Sequence, residues 1–422
     1  MTATIRDVHQ QFDPLKSLED GSRLYVDCLR ERGVTALFQH LRLPLADPPR
    51  PLLFSGHIGD GKTTLLQQLR GQLEREEHDF VAFGEADARL DLSDIEYDDV
   101  LLSILAIVDQ SLRQRYQEAM EADAIQRFWH ELSRMANLPI QLDKAELSLG
   151  PFGKLTTIIR DSPDARLQVR QRLREAREAT FLSVVNGYLH EAQQIVRRYG
   201  HRQLVVILDN LDRLPGIQGA GQVFPDERLL LGQATQLLGV QCHVIYAVRL
   251  ALVRAQGANL MDRYGHPPLV VPMIPVHHPD NTPHEAGMVK LQEIVQRRLQ
   301  AAGTDIAQAF SDTAQMVRLC RASSGHLRTL MTLMRSACAE ARAAHTALPL
   351  TAADIGMAIR NIGAQSRMVA ADYAEALQLI STTHRLDGLP AEVRYAMFHH
   401  HLVYEYFADG NYWYDTSRLL ME

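Results

Sequence analysis

The sequence predicts an α/β fold, a three-layer core in which helices cover both faces of a parallel sheet. Residues 204–208 form an uninterrupted apolar run of the kind that makes a central parallel strand. Residues 244–249 are predicted to form another strand of the core. A shorter apolar run, residues 52–54, leads into a glycine-rich turn and then into an amphipathic helix. Strands that alternate with helices in this way are typical of a parallel sheet.

Length and composition indicate an ordinary globular protein. The 422 residues are 46% hydrophobic and 23% charged, which fits one to three domains with a sizeable core. A net charge of −7 leaves no broad basic field for non-specific binding of nucleic acid. The four cysteines are far apart and form no C-x-x-C pair, so we expect a reducing compartment without disulfides or structural zinc. With no signal core and no run long enough to span a bilayer, we expect a cytoplasmic protein that does not bind membranes.

The glycine-rich turn carries the most specific motif. Gly56, Gly61, Lys62 and Thr63 fill the fixed positions of G-x-x-x-x-G-K-[ST], the Walker A loop. The N–H groups at a helix start attract phosphate, Lys62 is expected to reach the β- and γ-phosphates, and Thr63 is expected to ligate Mg²⁺. The alternative is a chance match, and the flanking strand and helix argue against it. The predicted ATP-binding residues are Gly56, His57, Ile58, Gly59, Asp60, Gly61, Lys62, Thr63 and Thr64.

Acidic residues follow two of the predicted strands. Residues 204–208 end at Asp209, which matches a Walker B strand and is expected to hold Mg²⁺ from outside its direct ligands, opposite Thr63. Glu85 follows the predicted strand at 79–84. Because the carboxyl ends of parallel strands face the ligand crevice, Glu85 is a candidate site residue, although a solvated loop is the ordinary interpretation.

Three arginines are candidates for contact with the γ-phosphate. Arg249 ends the 244–249 strand and is expected to act as a sensor, the alternative being a cap at the surface. Arg328 lies in the first turn of a predicted helix, where the helix dipole disfavours a cation, so a role in reaching the nucleotide from a lid is expected. Ser323 and Ser324 are expected to cap that helix. Arg263 is a candidate arginine finger, which requires an oligomer.

The chain is predicted to divide into four domains. Residues 1–50 are a helical lead-in with a helix over 22–42, and residues 51–275 are the core, with a helical insertion at 117–200. Residues 160–177 of the insertion are interpreted as a solvated helical face with local ion pairs rather than a basic stripe. Residues 287–359 are a helical lid. The histidines of the connection at 275–286 are interpreted as part of a flexible loop rather than a metal site.

Residues 360–422 are predicted to form a winged-helix-like unit. Helices are expected at 366–380 and 390–400, followed by strands at 402–407 and 412–415 joined by a turn. This stretch contains five arginines, no lysine and eight acidic residues, a net charge of −3. Since DNA-reading modules are normally basic, we expect a protein contact here, with DNA as the less favoured partner.

These motifs resemble those of the AAA+ and STAND-like P-loop ATPases. Residues 208–213 resemble the Walker B signature of KAP- and STAND-type NTPases, and residues 324–328 resemble the sensor-2 helix of origin-recognition-type AAA+ proteins. Residues 54–64 resemble bacterial ATPases, some of which belong to phage defence. Many AAA+ proteins have a glutamate after the Walker B aspartate, and here that residue is Asn210, which cannot accept a proton. The STAND-type pattern implies Asp212 as the base, with Glu85 in reserve, or slow hydrolysis.

The expected function is a molecular switch that binds and hydrolyses ATP. Its nucleotide state is expected to control either self-assembly into a homo-oligomer or a partner protein. The resemblance also raises a role in antiphage defence. Two alternatives stay open. One is a DNA-associated AAA+ ATPase of the origin-loading or transposition-regulator type, and the other is a scaffold that binds ATP without hydrolysing it.

Overall fold

The computed structural model describes residues 3–35, 38–39, 49–116, 130, 150–175, 178–214, 224–344 and 347–421. Predictions for residues 40–48 of the lead-in and for most of residues 117–149 of the insertion therefore lie outside the described residues.

The α-helices and β-strands with described bounds are, in chain order, α1 Ile5–Gln11, β1 Leu52–Gly56, α2 Lys62–Glu76, β2 Phe80–Glu85, α3 Ala86–Arg89, α4 Tyr97–Arg115, α5 Gly150–Asp161, α6 Pro163–Glu175, α7 Glu178–Arg198, β3 Leu204–Asp209, α8 Pro225–Glu227, α9 Ala234–Leu238, β4 His243–Arg249, α10 Leu250–Tyr264, β5 Leu269–Val271, α11 Glu285–Ala301, α12 Ile306–Ala309, α13 Thr313–Ala322, α14 Leu327–Ala343, α15 Ala352–Ala370, α16 Ala374–Thr383, α17 Ala391–His399, β6 Val403–Ala408 and β7 Asn411–Thr416.

The predicted α/β class is confirmed by a parallel five-stranded sheet in the order β2-β3-β4-β1-β5. Every residue of β3 and β4 is buried, as expected of central strands covered on both faces. β2 pairs with β3 in a register that runs from Phe80 beside Leu204 to Glu85 beside Asp209. β5 lies at the sheet edge, where Pro272 removes no ladder hydrogen bond.

The chain divides into two compact units. The first comprises Met1–Gln39, Gly56–Gln68 and Val270–Glu422, and the second comprises His40–Ser55 and Leu69–Leu269. This division differs from the four predicted domains, because the glycine-rich loop groups with the lead-in and the C-terminal helices. Helix α15 also continues through the boundary predicted at residues 359–360.

In the second unit, the helices of the insertion pack on α4 and on one another. The prediction of a solvated face at 160–177 is wrong for Arg166 and Arg170, which are 5% and 4% exposed. Arg166 contacts Asp91 at 2.8 Å and Arg170 contacts Asp94 at 2.8 Å. The acidic loop before α4 thus draws these guanidinium groups inward, which the sequence spacing could not indicate.

In the first unit, α1 and α11–α15 share one apolar core, which includes Leu291, Leu330 and Leu333. The predicted helix over residues 22–42 is wrong for residues 22–34, which form turns and irregular extended segments. Val26 and Cys28 are buried in the helical core, and Gly33 adopts a left-handed φ of +70°. Tertiary burial and this turn override the local helical periodicity.

The C-terminal hairpin forms as predicted. β6 and β7 pair antiparallel from Val403 beside Thr416 to Ala408 beside Asn411. Asp409 and Gly410 connect them with φ of +51° and +80°, which is the backbone of a type I′ turn. Among the described residues, no helix has the length and apolar character to span a bilayer.

Candidate nucleotide-binding site

The glycine-rich loop joins β1 to α2, so the strand–loop–helix order predicted for a Walker A loop is present. Gly59 and Gly61 have φ of +91° and +82°, conformations that side chains with a Cβ rarely adopt. The N–H of Leu65 donates to the Gly61 carbonyl at 2.9 Å and so begins the helix directly after the loop. The loop backbone therefore closes tightly onto a helix start, the geometry that favours an anion.

Lys62 is buried, and its ammonium lies across the beginning of the loop. Nζ donates to the carbonyl oxygens of Gly56 and His57, both at 2.9 Å. Thr63 follows in a half-buried position. The Thr64 hydroxyl oxygen accepts a hydrogen bond from the N–H of Leu18 at 3.0 Å, so Thr64 fixes the lead-in.

The variable positions of the loop contact the helical lid and the hairpin. His57 Nε2 accepts a hydrogen bond from the N–H of Glu405 in β6 at 3.1 Å. The carbonyl of Ile58 lies 2.8 Å from His326 Nε2, and the carbonyl of Gly59 accepts from the N–H of Arg328 at 3.0 Å. Each of these loop residues is thus held by a group from far along the chain.

Asp60, the last variable position of the loop, forms a buried ion pair with Arg32. Nη1 of Arg32 donates to Oδ2 at 2.9 Å, and Nη2 donates to Oδ1 and to the Asp60 carbonyl, both at 3.2 Å. The two residues are 1% and 3% exposed. Burial raises the pKa of Asp60 to about 6, opposed by the positive charges of Arg32 and Lys62. Asp60 is therefore mainly ionised at neutral pH.

Arg328, which the sequence predicts to act from the lid, lies beside the loop. Its Nε lies 3.4 Å from the Pro14 carbonyl of the lead-in. A Cβ added to Gly59 would lie 2.8 Å from the Cβ of Arg328, so only glycine fits there. The prediction that Ser323 and Ser324 cap α14 is wrong. His326 is the N-cap residue, while Ser324 accepts hydrogen bonds from Tyr406 and from the backbone of Arg418.

His326 is a neutral histidine in a buried setting. Burial lowers its pKa well below 6.5, and the positive charges of neighbouring groups act in the same direction. Nε2 faces the Ile58 carbonyl and Nδ1 lies 2.7 Å from the Thr329 hydroxyl, so the two partners assign the proton to Nε2. Burial also lowers the pKa of His401, which stacks on His326, to about 4.

The acidic residues lie in the second unit, at the carboxyl ends of its strands. The Asp209 carboxylate accepts from the N–H of Asn210 at 2.8 Å, and Asn210 has a left-handed φ of +64°. The Asn210 amide donates to Asp87 at 2.8 Å, and Arg213 also binds Asp87. Glu85 is the register partner of Asp209 and is half-buried. These two carboxylates therefore end neighbouring strands side by side.

Arg249 is buried and braces the turn after β3. Its Nε donates to the Asp212 carbonyl at 3.0 Å, and its guanidinium also contacts the Leu214 carbonyl. Asp226 lies 3.9 Å away. The predicted sensor role stays a prediction, but these contacts show that Arg249 positions the segment that carries Asp212. Asp212 is 3% exposed, whereas Arg263, in the last turn of α10, is exposed.

The histidines of the 275–286 connection have structural partners. His277 lies 3.2 Å from Asp415 of β7, and His284 Nδ1 accepts from the N–H of Gly287 at the start of α11. Across the described ranges, no cluster of three or more ligating side chains suits a metal ion.

Sequence reasoning did not single out Arg32 or His326. Arg32 lies outside every motif, and its only signal is indirect, since an acid within a phosphate loop requires a nearby cation. His326 stands inside the segment 324–328, whose resemblance to a sensor-2 helix points to Arg328, and nothing in that pattern indicates a contact between His326 and the loop.

Neither a family model nor a curated protein matches this chain. Three solved structures of proteins from Aeropyrum pernix are similar to it, each with a TM-score of 0.39: the ORC1 protein in complex with DNA (14% identity, 97% of this chain and 93% of that chain), the ORC2 protein in its ADP form (13%, 98% and 94%) and the ORC2 protein in ADPNP–ADP complexes (13%, 97% and 93%). A likeness at this TM-score carries no conclusion about this chain.

Proposed function

We propose that this chain is an Mg²⁺-dependent ATPase of the AAA+ kind that works as a nucleotide-controlled switch. The observation that carries the proposal is the glycine-rich loop between β1 and α2, with Lys62 folded across it. Lys62 is bonded to neutral carbonyl groups, and phosphate oxygens are stronger partners for an ammonium group. Bound phosphates would therefore draw Lys62 away from Gly56 and His57.

Thr63 and Asp209 are the residues that would hold Mg²⁺, whose charge offsets that of the phosphates when it is bound. The Thr63 hydroxyl offers an oxygen ligand, which suits this hard cation, and the Asp209 carboxylate would hold the bound ion from outside its direct ligands. The left-handed glycines and the helix start supply backbone N–H groups for phosphate, so the donor set fits Mg-ATP.

Glu85 is the better candidate for the residue that activates water. It is half-buried and ends β2 directly beside Asp209, whereas Asp212 is 3% exposed and lies on a turn braced by Arg249. A general base must reach the water from which it takes a proton. Asp212 remains the alternative that the STAND-type resemblance implies.

A switch is supported by the contacts of the loop within the first unit. The carbonyl groups of Ile58 and Gly59 are bonded to His326 and Arg328 at the start of α14, and the His57 side chain accepts from the backbone of β6. A shift of the loop on phosphate binding would therefore act on the helical lid and the hairpin. Arg328 would report the γ-phosphate to the lid from its position against Gly59. The acidic C-terminal stretch favours a protein partner or a second copy of the chain over DNA.

The test is ATP binding by calorimetry and phosphate release, with Mg²⁺ present, for wild type and Lys62→Ala. We expect Lys62→Ala to weaken ATP binding by about tenfold or more and to abolish hydrolysis, because a charge-assisted contact to phosphate is lost. Lys16→Ala is the matched control, since Lys16 is exposed in the lead-in. Wild type that binds no ATP, or a Lys62→Ala variant that behaves as wild type, would contradict the proposed function.

A further inference from the structure

Asp60 is an unusual residue for a loop that wraps phosphate. Its carboxylate lies directly before Gly61 and Lys62 and is 1% exposed, so it cannot be shielded by water. A negative charge at this place repels the phosphates that the loop is shaped to hold. The loop therefore requires a compensating cation that stays in place.

Arg32 meets that requirement from a rigid turn. The N–H of Arg32 donates to the Cys28 carbonyl at 3.0 Å, and the N–H of Val34 donates to the Leu29 carbonyl at 2.9 Å. Cys28 and Val34 are buried, which anchors the turn on both sides of Arg32. The guanidinium is thus directed at Asp60 by the fold of the lead-in.

The contacts of Arg32 define both the charge and the shape of the loop. Its two terminal nitrogens, Nη1 and Nη2, each donate to one carboxylate oxygen of Asp60, and Nη2 also donates to the Asp60 carbonyl oxygen. Only the planar fork of an arginine makes all three contacts at once. The Nε–H of Arg32 is buried and has no hydrogen-bond partner among the described residues. Burying an unsatisfied donor costs free energy, and an apolar side chain at this position would not carry that cost. The backbone of Leu327, at the start of α14, donates to Asp60 as well.

We propose that Arg32 is a positioning residue of the nucleotide site, which acts through Asp60 to neutralise and fix the phosphate-binding loop. The inference rests on the proposed ATP binding and adds to it a residue outside the motif. The competing explanation is that the ion pair only attaches the lead-in to the rest of the first unit. In that case the loss of Arg32 would affect folding but would leave no specific penalty on phosphate binding.

The experiment compares ATP binding by calorimetry, with Mg²⁺, for wild type, Arg32→Gln and the double variant Arg32→Gln/Asp60→Asn. We expect the dissociation constant of Arg32→Gln for ATP to rise fivefold or more, because Asp60 loses the guanidinium that pairs with it and its charge then repels the phosphates. The double variant should recover at least half of that loss on a logarithmic scale, because the repulsive carboxylate is gone. Arg30→Gln, a change at an exposed arginine of the same turn, should bind as wild type does.

The inference is overturned if a folded Arg32→Gln variant binds ATP less than fivefold more weakly than wild type. It is also overturned if the double variant recovers less than half of the lost affinity on a logarithmic scale. Melting temperatures identify the folded variants. If Arg32→Gln does not fold, Arg32→Lys decides. Arg32→Lys keeps the positive charge but not the planar guanidinium. We expect its affinity for ATP to fall twofold or more, and a smaller fall overturns the inference. If wild type binds no ATP, the proposed function is overturned and this inference falls with it. If wild type binds ATP but the Arg32 variants do not behave as expected, only the inference about Arg32 is overturned.

Discussion

At the scale of single residues, the loop is held by polar groups whose protonation states matter. His326 donates to the Ile58 carbonyl from a buried position and is neutral there. Its pKa in the folded chain lies well below the unfolded value of 6.5, so the unfolded chain binds the proton first as the pH falls. The stabilisation that His326 gives is therefore fully present above about pH 6.5 and is lost progressively below it.

We predict that His326→Gln makes the protein less sensitive to acid. A glutamine amide can donate to Ile58 but does not titrate, so the free energy of unfolding should fall less steeply between pH 6.5 and 5, by about 1 kcal/mol per pH unit. Urea unfolding at several pH values measures this slope. Equal slopes for wild type and His326→Gln would show that His326 is not the acid-sensitive group.

We predict that Glu85→Gln blocks hydrolysis while ATP still binds. Removing a general base slows a reaction by about 10²–10⁴-fold, and the amide keeps the size of the side chain. Single-turnover phosphate release measures the rate, and calorimetry measures binding. Asp212→Asn is the comparison, for which we expect a smaller effect. A large loss in Asp212→Asn with normal hydrolysis in Glu85→Gln would reverse the assignment.

At the scale of secondary-structure elements, local patterns predicted most of what the structure contains. The strands were predictable because continuous apolar runs mark buried parallel strands, and β3 and β4 are buried along their whole length. The hairpin was predictable from its turn residues, since Asp409 and Gly410 suit a left-handed backbone. The prediction of a helix in the lead-in was wrong because the turns found there depend on burial of Val26 and Cys28 in a core formed by distant helices.

The site was predictable only as far as its motif. The loop and the strand ends follow from local sequence, whereas Arg32 meets Asp60 from 28 positions away and Glu405 meets His57 from 348 positions away. No periodicity encodes such pairs, because they depend on how the first unit folds. The register that sets Glu85 beside Asp209 likewise needs the strand order, which the sequence alone leaves open.

We predict that Gly410→Ala weakens the hairpin. Gly410 has φ of +80°, where a Cβ costs about 1–2 kcal/mol. Hydrogen exchange should therefore speed up across β6 and β7, including the Glu405 amide that donates to His57. Gly257→Ala within α10 is the control, because open space surrounds it and alanine favours helix. Unchanged exchange in the hairpin would mean that the turn does not limit its stability.

At the scale of the whole molecule, the proposed switch requires an output larger than the loop itself. Arg263 is exposed at the end of α10, where a second copy of the chain could receive it. If ATP drives assembly and Arg263 acts across the new interface, then binding, assembly and hydrolysis become linked, since an arginine finger raises hydrolysis by about 10³–10⁵-fold in proteins that use one. The size of the particle in solution is then a direct readout of the nucleotide state.

We predict that ATP with Mg²⁺ produces a larger particle in light scattering than ADP or no nucleotide. In wild type that particle should decay as ATP is consumed, whereas Glu85→Gln should hold it. Arg263→Ala should still assemble but should lose at least tenfold in hydrolysis, because its partner copy lacks the cation. Arg321→Ala, at another exposed arginine, is the matched control and should behave as wild type. An identical particle size in every nucleotide state would exclude self-assembly as the output and would remove the case for Arg263. The switch would then have to act on a different protein through α14 and the hairpin.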